Sequence, residues 1–214
     1  LFVKLCVIGG AGARSAFLTK SLVKSTRDIR VDHIVLLDND QQKLKTYGEI
    51  SRELSRRLDP DLTFEVTSDA RAALTGVDYI ITTIRAGGDA GRLFDEQTCL
   101  AHGVLGQETT GAGGFAMAIR SVPTLVYYCT LAREVANPGH LIFNFTNPSG
   151  IITQALRSKG FDNVYGICDA PSGFIKQLEE ILEIPYGTLD IECYGLNHLS
   201  WFRNAKVNGR DVQR

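Results

Sequence analysis

The stretch "CVIGGAGARSAFLTKSL" at residues 6–22 decides the fold of this chain. A short apolar run ends in glycines, and an amphipathic segment follows them. Within it, Gly10-Ala11-Gly12-Ala13-Arg14-Ser15 fits the spacing G-x-G-x-x-S, with Ser15 where a third glycine is usual. Glycines at the first two positions allow a tight turn and a close backbone approach to a pyrophosphate. The anion then sits at a helix N-terminus, where free N–H groups and the helix dipole favour negative charge. A glycine turn that serves only to reverse the chain has the same look, so the surroundings must arbitrate.

They favour a nucleotide. The next apolar run, "HIVLLD" (33–38), ends in Asp38, an acid placed to hydrogen-bond a ribose 2′-OH and to repel a 2′-phosphate, which selects NAD over NADP. Asp38 stands farther from the turn than the usual separation of about twenty residues, as a longer first helix would require. Further apolar runs at 2–8, 63–68, 77–82, 140–145 and 162–168 alternate with helical stretches near 13–25, 41–58, 115–136, 149–158 and 171–183. Pro123 is expected to kink the longest helix. This alternation predicts an α/β fold with a Rossmann-type, doubly wound, mostly parallel sheet. After Pro185 the pattern turns antiparallel. The expected domains are therefore 1–190, dinucleotide-binding, and 191–214, the beginning of a second α+β domain. A chain that opens at Leu1 and closes just after the Asn208-Gly209 turn reads as a piece of a longer protein.

Composition narrows the partners. With 23 Lys+Arg against 24 Asp+Glu the net charge is −1, so no global field draws nucleic acid or an anionic membrane. Any anion must be held by a local site. The five cysteines form no CxxC pair, which points to a reducing, cytoplasmic compartment. No apolar run approaches the roughly 18 to 20 residues of a membrane span, and no signal-peptide pattern opens the chain.

Four later stretches carry chemistry. "TTIRAGGDAGRLFDEQTCLAHGVLGQETTGAGGFAMAIRSVP" (82–123) leaves the fourth strand at the end where such sheets bind ligands, crowded with glycine and charge. Arg92 could fork a phosphate or carboxylate, and Glu108 precedes a glycine run able to wrap a ligand. A solvated loop with surface ion pairs fits the same residues. "FNFTNPSGIIT" (143–153) sets Asn147 just past the fifth strand, where its amide could meet sugar hydroxyls; a helix N-cap signal at Ser149 is the plainer account. "GICDAPSG" (166–173) brings Cys168 and Asp169 to the end of the sixth strand, and "GLNHLSW" (195–201) supplies His198. Their spacing says nothing about a metal. A buried thiol and a satisfied histidine remain open alternatives.

Taken in order, "IGGAGARSA", "LLDND", "TTIRAGG…HGVLGQETTGAGG", "NFTNPSG", "GICDAP" and "GLNHLSW" resemble glycoside hydrolase family 4, over nearly the whole chain. That family is NAD- and metal-dependent, many members acting on 6-phosphoglucosides, and it stands outside the two-carboxylate glycosidase scheme. The resemblance implies hydrolysis by transient oxidation at C3 of the sugar, loss of the C1 substituent by elimination across C1–C2, water addition and return of the hydride. It implies NAD contacts at Gly10, Gly12, Ala13, Arg14, Ser15 and Asp38. It further implies Mn2+ or another divalent metal on Cys168 and His198, Asp169 as general acid, Arg92 on the 6-phosphate, and Asn147 and Glu108 against the sugar. A phosphorylated disaccharide or glucoside is the implied substrate, and a dimer or tetramer the implied assembly, with no nucleic-acid or membrane partner.

Some features depart from the family pattern. Members acting on β-glucosides usually carry Asn after the metal-binding cysteine, where this chain has Asp169, yet "NFTNPSG" and "GQETTG" look more like that β branch. The β-glucoside is the favoured substrate, with the α-anomer as the other possibility. The family's tyrosine base matches no position in this chain. The rival reading is an NAD-dependent 2-hydroxyacid dehydrogenase of the lactate or malate type, which shares the sheet, the glycine turn and an Asn-Pro after strand five. It needs a histidine paired with an aspartate, and His198 lacks those surroundings. A nucleotide-sensing domain with a decayed site would bind NAD but no metal.

Overall fold

The computed structural model describes residues 2–196 and 198–212. Asn197 of the "GLNHLSW" motif, Leu1, Gln213 and Arg214 lie outside the described residues. Six strands, β1 (Lys4–Ile8), β2 (His33–Leu37), β3 (Thr63–Thr67), β4 (Tyr79–Thr82), β5 (Leu141–Asn144) and β6 (Val164–Gly166), pair in the order β3-β2-β1-β4-β5-β6. Every pairing is parallel. The order reverses between β1 and β4, the doubly wound pattern the alternation of elements predicts.

The period of two along each strand sorts the side chains onto two covered faces. Cys6, Ile8, Val35, Leu37, Ile80 and Ile142 enter one buried cluster, while Leu5, Val7, Ile34 and Leu36 enter the other. All five residues of β2 are buried, which is why its sequence reads as a continuous apolar run instead of an alternating one.

The helices are α1 (Ser15–Ile29), α2 (Gln41–Lys43), α3 (Glu49–Leu58), α4 (Ala70–Leu74), α5 (Gly88–Ala101), α6 (Gly111–Val135), α7 (Ser149–Ser158) and α8 (Ala170–Ile181). A π-helical turn, Leu44–Gly48, joins α2 to α3. The segment expected as one long loop, 82–123, instead contains α5 and the start of α6. Its glycines hide α5, and the first turn of the helix expected from 115, from a propensity reading. Gly87, at φ 87, turns the chain into α5, and at Gly113 a Cβ would lie 2.5 Å from the Gln107 carbonyl oxygen. The α6 assignment runs through Pro123 unbroken. By length and composition α6 would suffice to cross a membrane, but Met117, Ala118, Leu125, Cys129 and Ala132 are buried within the fold.

A second compact unit, Ile167–Arg214, follows the first, Leu1–Gly166. It holds α8 and the antiparallel strands β7 (Leu189–Leu196), β8 (Leu199–Val207) and β9 (Arg210–Asp211). The units part ahead of residue 190, where the pattern change suggested a boundary, because α8 packs with β7. Asn208 and Gly209, at φ 50 and 76, form the turn between β8 and β9 that their sequence announced.

Candidate active site

The glycine turn closes against the sheet. Gly9 and Gly10 donate to the Leu37 carbonyl at 2.8 and 3.0 Å, so the chain doubles back over β2. At Gly10 a Cβ would stand 2.9 Å from both the Leu36 Cβ and the Val7 carbonyl oxygen, which makes this glycine a requirement of the fold. Gly12 differs, for its nearest obstacle is the Gly9 oxygen at 4.0 Å. The bare backbone there leaves a cradle that a side chain would begin to fill. Ser15 opens α1 and is buried, Arg14 is the N-cap residue, and no side chain caps the helix. Its first N–H groups are thereby left to an anion. Asp38 lies against the turn, accepting from the Ala11 N–H at 3.1 Å and from the Asp40 N–H at 3.0 Å.

The sheet ends carry a second cluster in the same unit. Glu108 accepts from Arg85 Nε at 3.0 Å and Nη2 at 3.1 Å, and from Asn147 Nδ2 at 3.4 Å. Arg92 Nη1 lies 3.7 Å from the same carboxylate, and Arg92 Nε donates to Glu96 at 2.7 Å. Thus Arg92 and Asn147, picked from two separate stretches, come together around the carboxylate of Glu108. Burial pushes the Glu108 carboxyl up, but the hydrogen bonds and charge of Arg85, with Arg92 and Asn147 behind it, outweigh this and hold it below the usual range. Glu108 is therefore a fixed anion that orients two guanidinium groups.

Two supports of this cluster were not legible as functional. Asn144, at the end of β5, is fully buried; it accepts from Thr82 Oγ1 at 2.8 Å and donates to Thr153 Oγ1 at 3.2 Å. Thr146 Oγ1 in turn accepts from the Ile84 N–H at 3.1 Å, so the chain leaving β4 and the chain carrying Asn147 are tied together. Ser149, a candidate N-cap, instead opens α7 and donates its hydroxyl to the Asn144 carbonyl at 3.2 Å. The other support is Arg120 of α6. It makes a two-pronged pair with Asp95 of α5, and its Nε donates to the Ala86 carbonyl at 3.2 Å. At Gly87 a Cβ would meet Arg120 Nε at 3.0 Å. The "RAGGDAG" run is glycine-rich in part because this guanidinium lies on it. A charge that recurs inside an apolar helix, as Arg120 does in α6, was the available signal.

In the second unit, Cys168 Sγ and His198 Nε2 approach to 3.8 Å although 30 residues separate them. Cys168 is half-buried and His198 sits in a turn at φ 60. Among the described residues no group of three or more His, Cys, Asp or Glu could hold a metal. Cys168 and Asp169 do not end the sixth strand as expected: β6 closes at Gly166, and Asp169, with φ −87 and ψ −9, is the N-cap residue of α8. The Asp169 side chain is exposed and makes no capping hydrogen bond. The Asp169 carbonyl accepts from the Gly173 N–H, also at 2.9 Å as from Ser172 Oγ.

A parallel sheet reversing at a glycine turn, with an acid against that turn and an arginine–carboxylate cluster at the strand ends, defines a Rossmann-type domain equipped for an anionic ligand. Within that class, the chain belongs to glycosyl hydrolase family 4, whose model matches residues 4–184. It is 35% identical over 212 residues to the 6-phospho-beta-glucosidase BglT of Thermotoga maritima, covering 98% of this chain and 50% of that protein. The chain thus spans about half the length of the curated relatives it matches. A 6-phospho-alpha-glucosidase from gut microorganisms, solved in complex with NAD and Mn2+, superposes with a TM-score of 0.92 at 31% identity, over 99% of this chain and 49% of that one. A malate dehydrogenase from Naegleria fowleri aligns with a TM-score of 0.71 at 14% identity, over 98% of this chain and 62% of that one, a likeness of fold alone.

Proposed function

We propose that this chain is the NAD-binding portion of a cytoplasmic NAD- and divalent-metal-dependent glycosidase that hydrolyses 6-phosphoglucosides, the β-anomer favoured. The observation that carries the reading is the pair Cys168–His198, a sulfur and a nitrogen donor 3.8 Å apart, one just ahead of α8 and the other in the β7–β8 turn. Cys168 and His198 would hold a divalent ion loosely, as two protein donors do when the remaining ligands are not supplied by the protein. A thiolate is a soft partner for Mn2+, so exchange among metals is expected. When bound, NAD+ supplies a reversible hydride acceptor for C3 of the sugar, and the metal supplies Lewis acidity toward its C2 and C3 oxygens.

The chain's own residues divide the remaining work. Gly10, Gly12, Ala13, Arg14 and Ser15 cradle the pyrophosphate, and Asp38 accepts from the ribose. Arg92 turns from Glu96 toward the sugar 6-phosphate, exchanging one anion for another. Glu108 holds Arg85 in place and, with Asn147, receives the sugar hydroxyls. Asp169, exposed and uncommitted at the head of α8, protonates the leaving glycosidic oxygen. The substrate is a phosphorylated disaccharide or glucoside, and the working assembly is a dimer or tetramer of the whole protein.

The decisive assay is nitrophenol release from α- and β-nitrophenyl glucoside 6-phosphates by the full-length protein with Mn2+ and thiol, with and without NAD+. Hydrolysis that needs NAD+ but accumulates no NADH is the expected result, and the preferred anomer assigns the branch. NADH formed from a 2-hydroxy acid, without hydrolysis, would refute the reading. The family membership and the low identity to the malate dehydrogenase weigh against that outcome.

A further inference from the structure

Glu179 is a buried acid that none of the chemistry above uses. It lies near the C-terminal end of α8, is 2% exposed, and has Oε1 accepting from the Thr188 N–H at 2.9 Å and the Leu189 N–H at 3.0 Å. Among the described residues no group meets hydrogen-bond geometry with its Oε2. Buried carboxylates are rare unless something requires them. Here the requirement is geometric, because the two N–H groups mark the last turn before β7.

From Cys168, α8 carries the chain about 15 Å along its axis to Glu179. After the turn at 187–189, β7 returns for about 23 Å toward the β7–β8 turn that holds His198. The helix and strand thus leave a common corner and end at the two sides of the sulfur–imidazole pair. Glu179 ties that corner, Phe174 of α8 meets Phe202 of β8 edge-on with ring centroids 6.3 Å apart, and Cys168 faces His198 at the far end. Ile181 and Leu182 at the end of α8 are exposed, so packing adds little restraint at the corner. A shift of the helix against the strand by one residue would move Cys168 by about 1.5 Å relative to His198. Metal ligation tolerates only a few tenths of an ångström.

We propose that Glu179 is a positioning residue that sets the separation of Cys168 and His198 by hydrogen-bonding Thr188 and Leu189, where the chain enters β7, and so sets the metal affinity of the pair. This rests on the reading that the pair holds a divalent metal. Charged acceptors hold backbone N–H groups more strongly than neutral ones. The hydrogen bonds, Leu189's foremost, hold the Glu179 carboxyl below its usual range, consistent with an ionised clamp.

The test uses Glu179→Ala and Glu179→Gln in the full-length protein, with Mn2+ binding read by electron paramagnetic resonance and NAD+ binding by fluorescence. Glu179→Ala should weaken Mn2+ binding by about tenfold or more, the range found when groups that orient metal ligands are removed. Its NAD+ affinity should stay within about twofold, since that site lies in the other unit. Glu179→Gln keeps an acceptor for both N–H groups and should recover most of the Mn2+ affinity. Protection of Cys168 by Mn2+ against alkylation should follow the same order. Mn2+ binding unchanged in Glu179→Ala overturns the proposal, and so does a loss in Glu179→Gln as large as in Glu179→Ala. Should Glu179→Ala fail to fold, Glu179→Asp takes its place, because its shorter side chain withdraws the acceptor from the Thr188 and Leu189 N–H groups: a tenfold loss of Mn2+ affinity supports the clamp, and unchanged affinity overturns it. Absence of Mn2+ binding in the wild-type protein would instead sink the metal reading itself.

Discussion

Replacing Arg120 with methionine isolates the support beneath the arginine–carboxylate cluster. Methionine keeps most of the apolar stem and removes the guanidinium, so Asp95, 7% exposed, is left as a buried carboxylate without its partner. Breaking a fully buried pair in this way costs about 3 to 5 kcal/mol. The Arg120 side chain is 31% exposed, so water reaches one side of the site and the cost should fall to about 2 kcal/mol. With a urea m-value of about 2 kcal/mol/M, the unfolding midpoint should drop by about 1 M. The double variant Arg120→Met with Asp95→Leu removes the orphaned charge as well and should regain at least half of that loss. Circular dichroism during urea titration of the three variants and the wild type gives all four midpoints. A single-variant shift below about 0.2 M, or a double variant no better than Arg120→Met, would refute the claim that this pair holds α5 and the Ala86 turn in place. Binding of glucose 6-phosphate should weaken in Arg120→Met beyond what stability explains, because Arg85 and Arg92 flank the turn it holds.

The two glycines of the nucleotide turn should respond in opposite ways. Gly10→Ala, whose Cβ would lie 2.9 Å from the Leu36 Cβ and the Val7 oxygen, should lower stability by about 1 to 3 kcal/mol in the same urea titration. Gly12→Ala, with 4.0 Å of room, should leave stability within about 0.5 kcal/mol while weakening NAD+ by tenfold or more in a fluorescence titration. Equal effects of the two on both readouts would mean Gly12 serves the turn alone. For the thiols, burial pushes Cys6 and Cys129 up to about 12, so at pH 8 only about one in ten thousand is thiolate. Iodoacetamide followed by mass spectrometry should label exposed Cys193 and half-buried Cys168 in the folded protein, sparing Cys6, Cys99 and Cys129 until urea is added. Labelling of Cys6 as fast as Cys193 would contradict the burial of β1.

The sheet was legible because its strands are buried on both faces, which compresses them into short apolar runs that periodicity detects. The positions of Gly10, Asp38, Asn147 and the Asn208-Gly209 turn followed from backbone rules that act within a few residues. Glycine misled the reading where it served packing. In "RAGGDAG" and "TTGAGG" it makes room for Arg120 and for the Gln107 and Thr109 backbones, and the helices α5 and α6 begin there against their propensity. The extended reading of Cys168 and Asp169 failed for a related reason, since Pro171 and Ser172 recruit Asp169 into a helix start that closes β6 at Gly166.

What no local rule supplies is which charges meet. Arg85, Arg92, Glu96 and Glu108 come from one stretch and Asn147 from another, and only the pairing of β4 with β5 brings the second beside the first. That arrangement has a consequence for ligand choice. Arg92 and Arg85 are already neutralised by Glu96, Asp89 and Glu108, so a singly charged carboxylate ligand would gain little by displacing one of them. A phosphate dianion, with more charge and three acceptor oxygens, gains more from the same exchange. This charge balance supports the proposed choice of a phosphorylated sugar over its neutral parent and over a simple hydroxy acid.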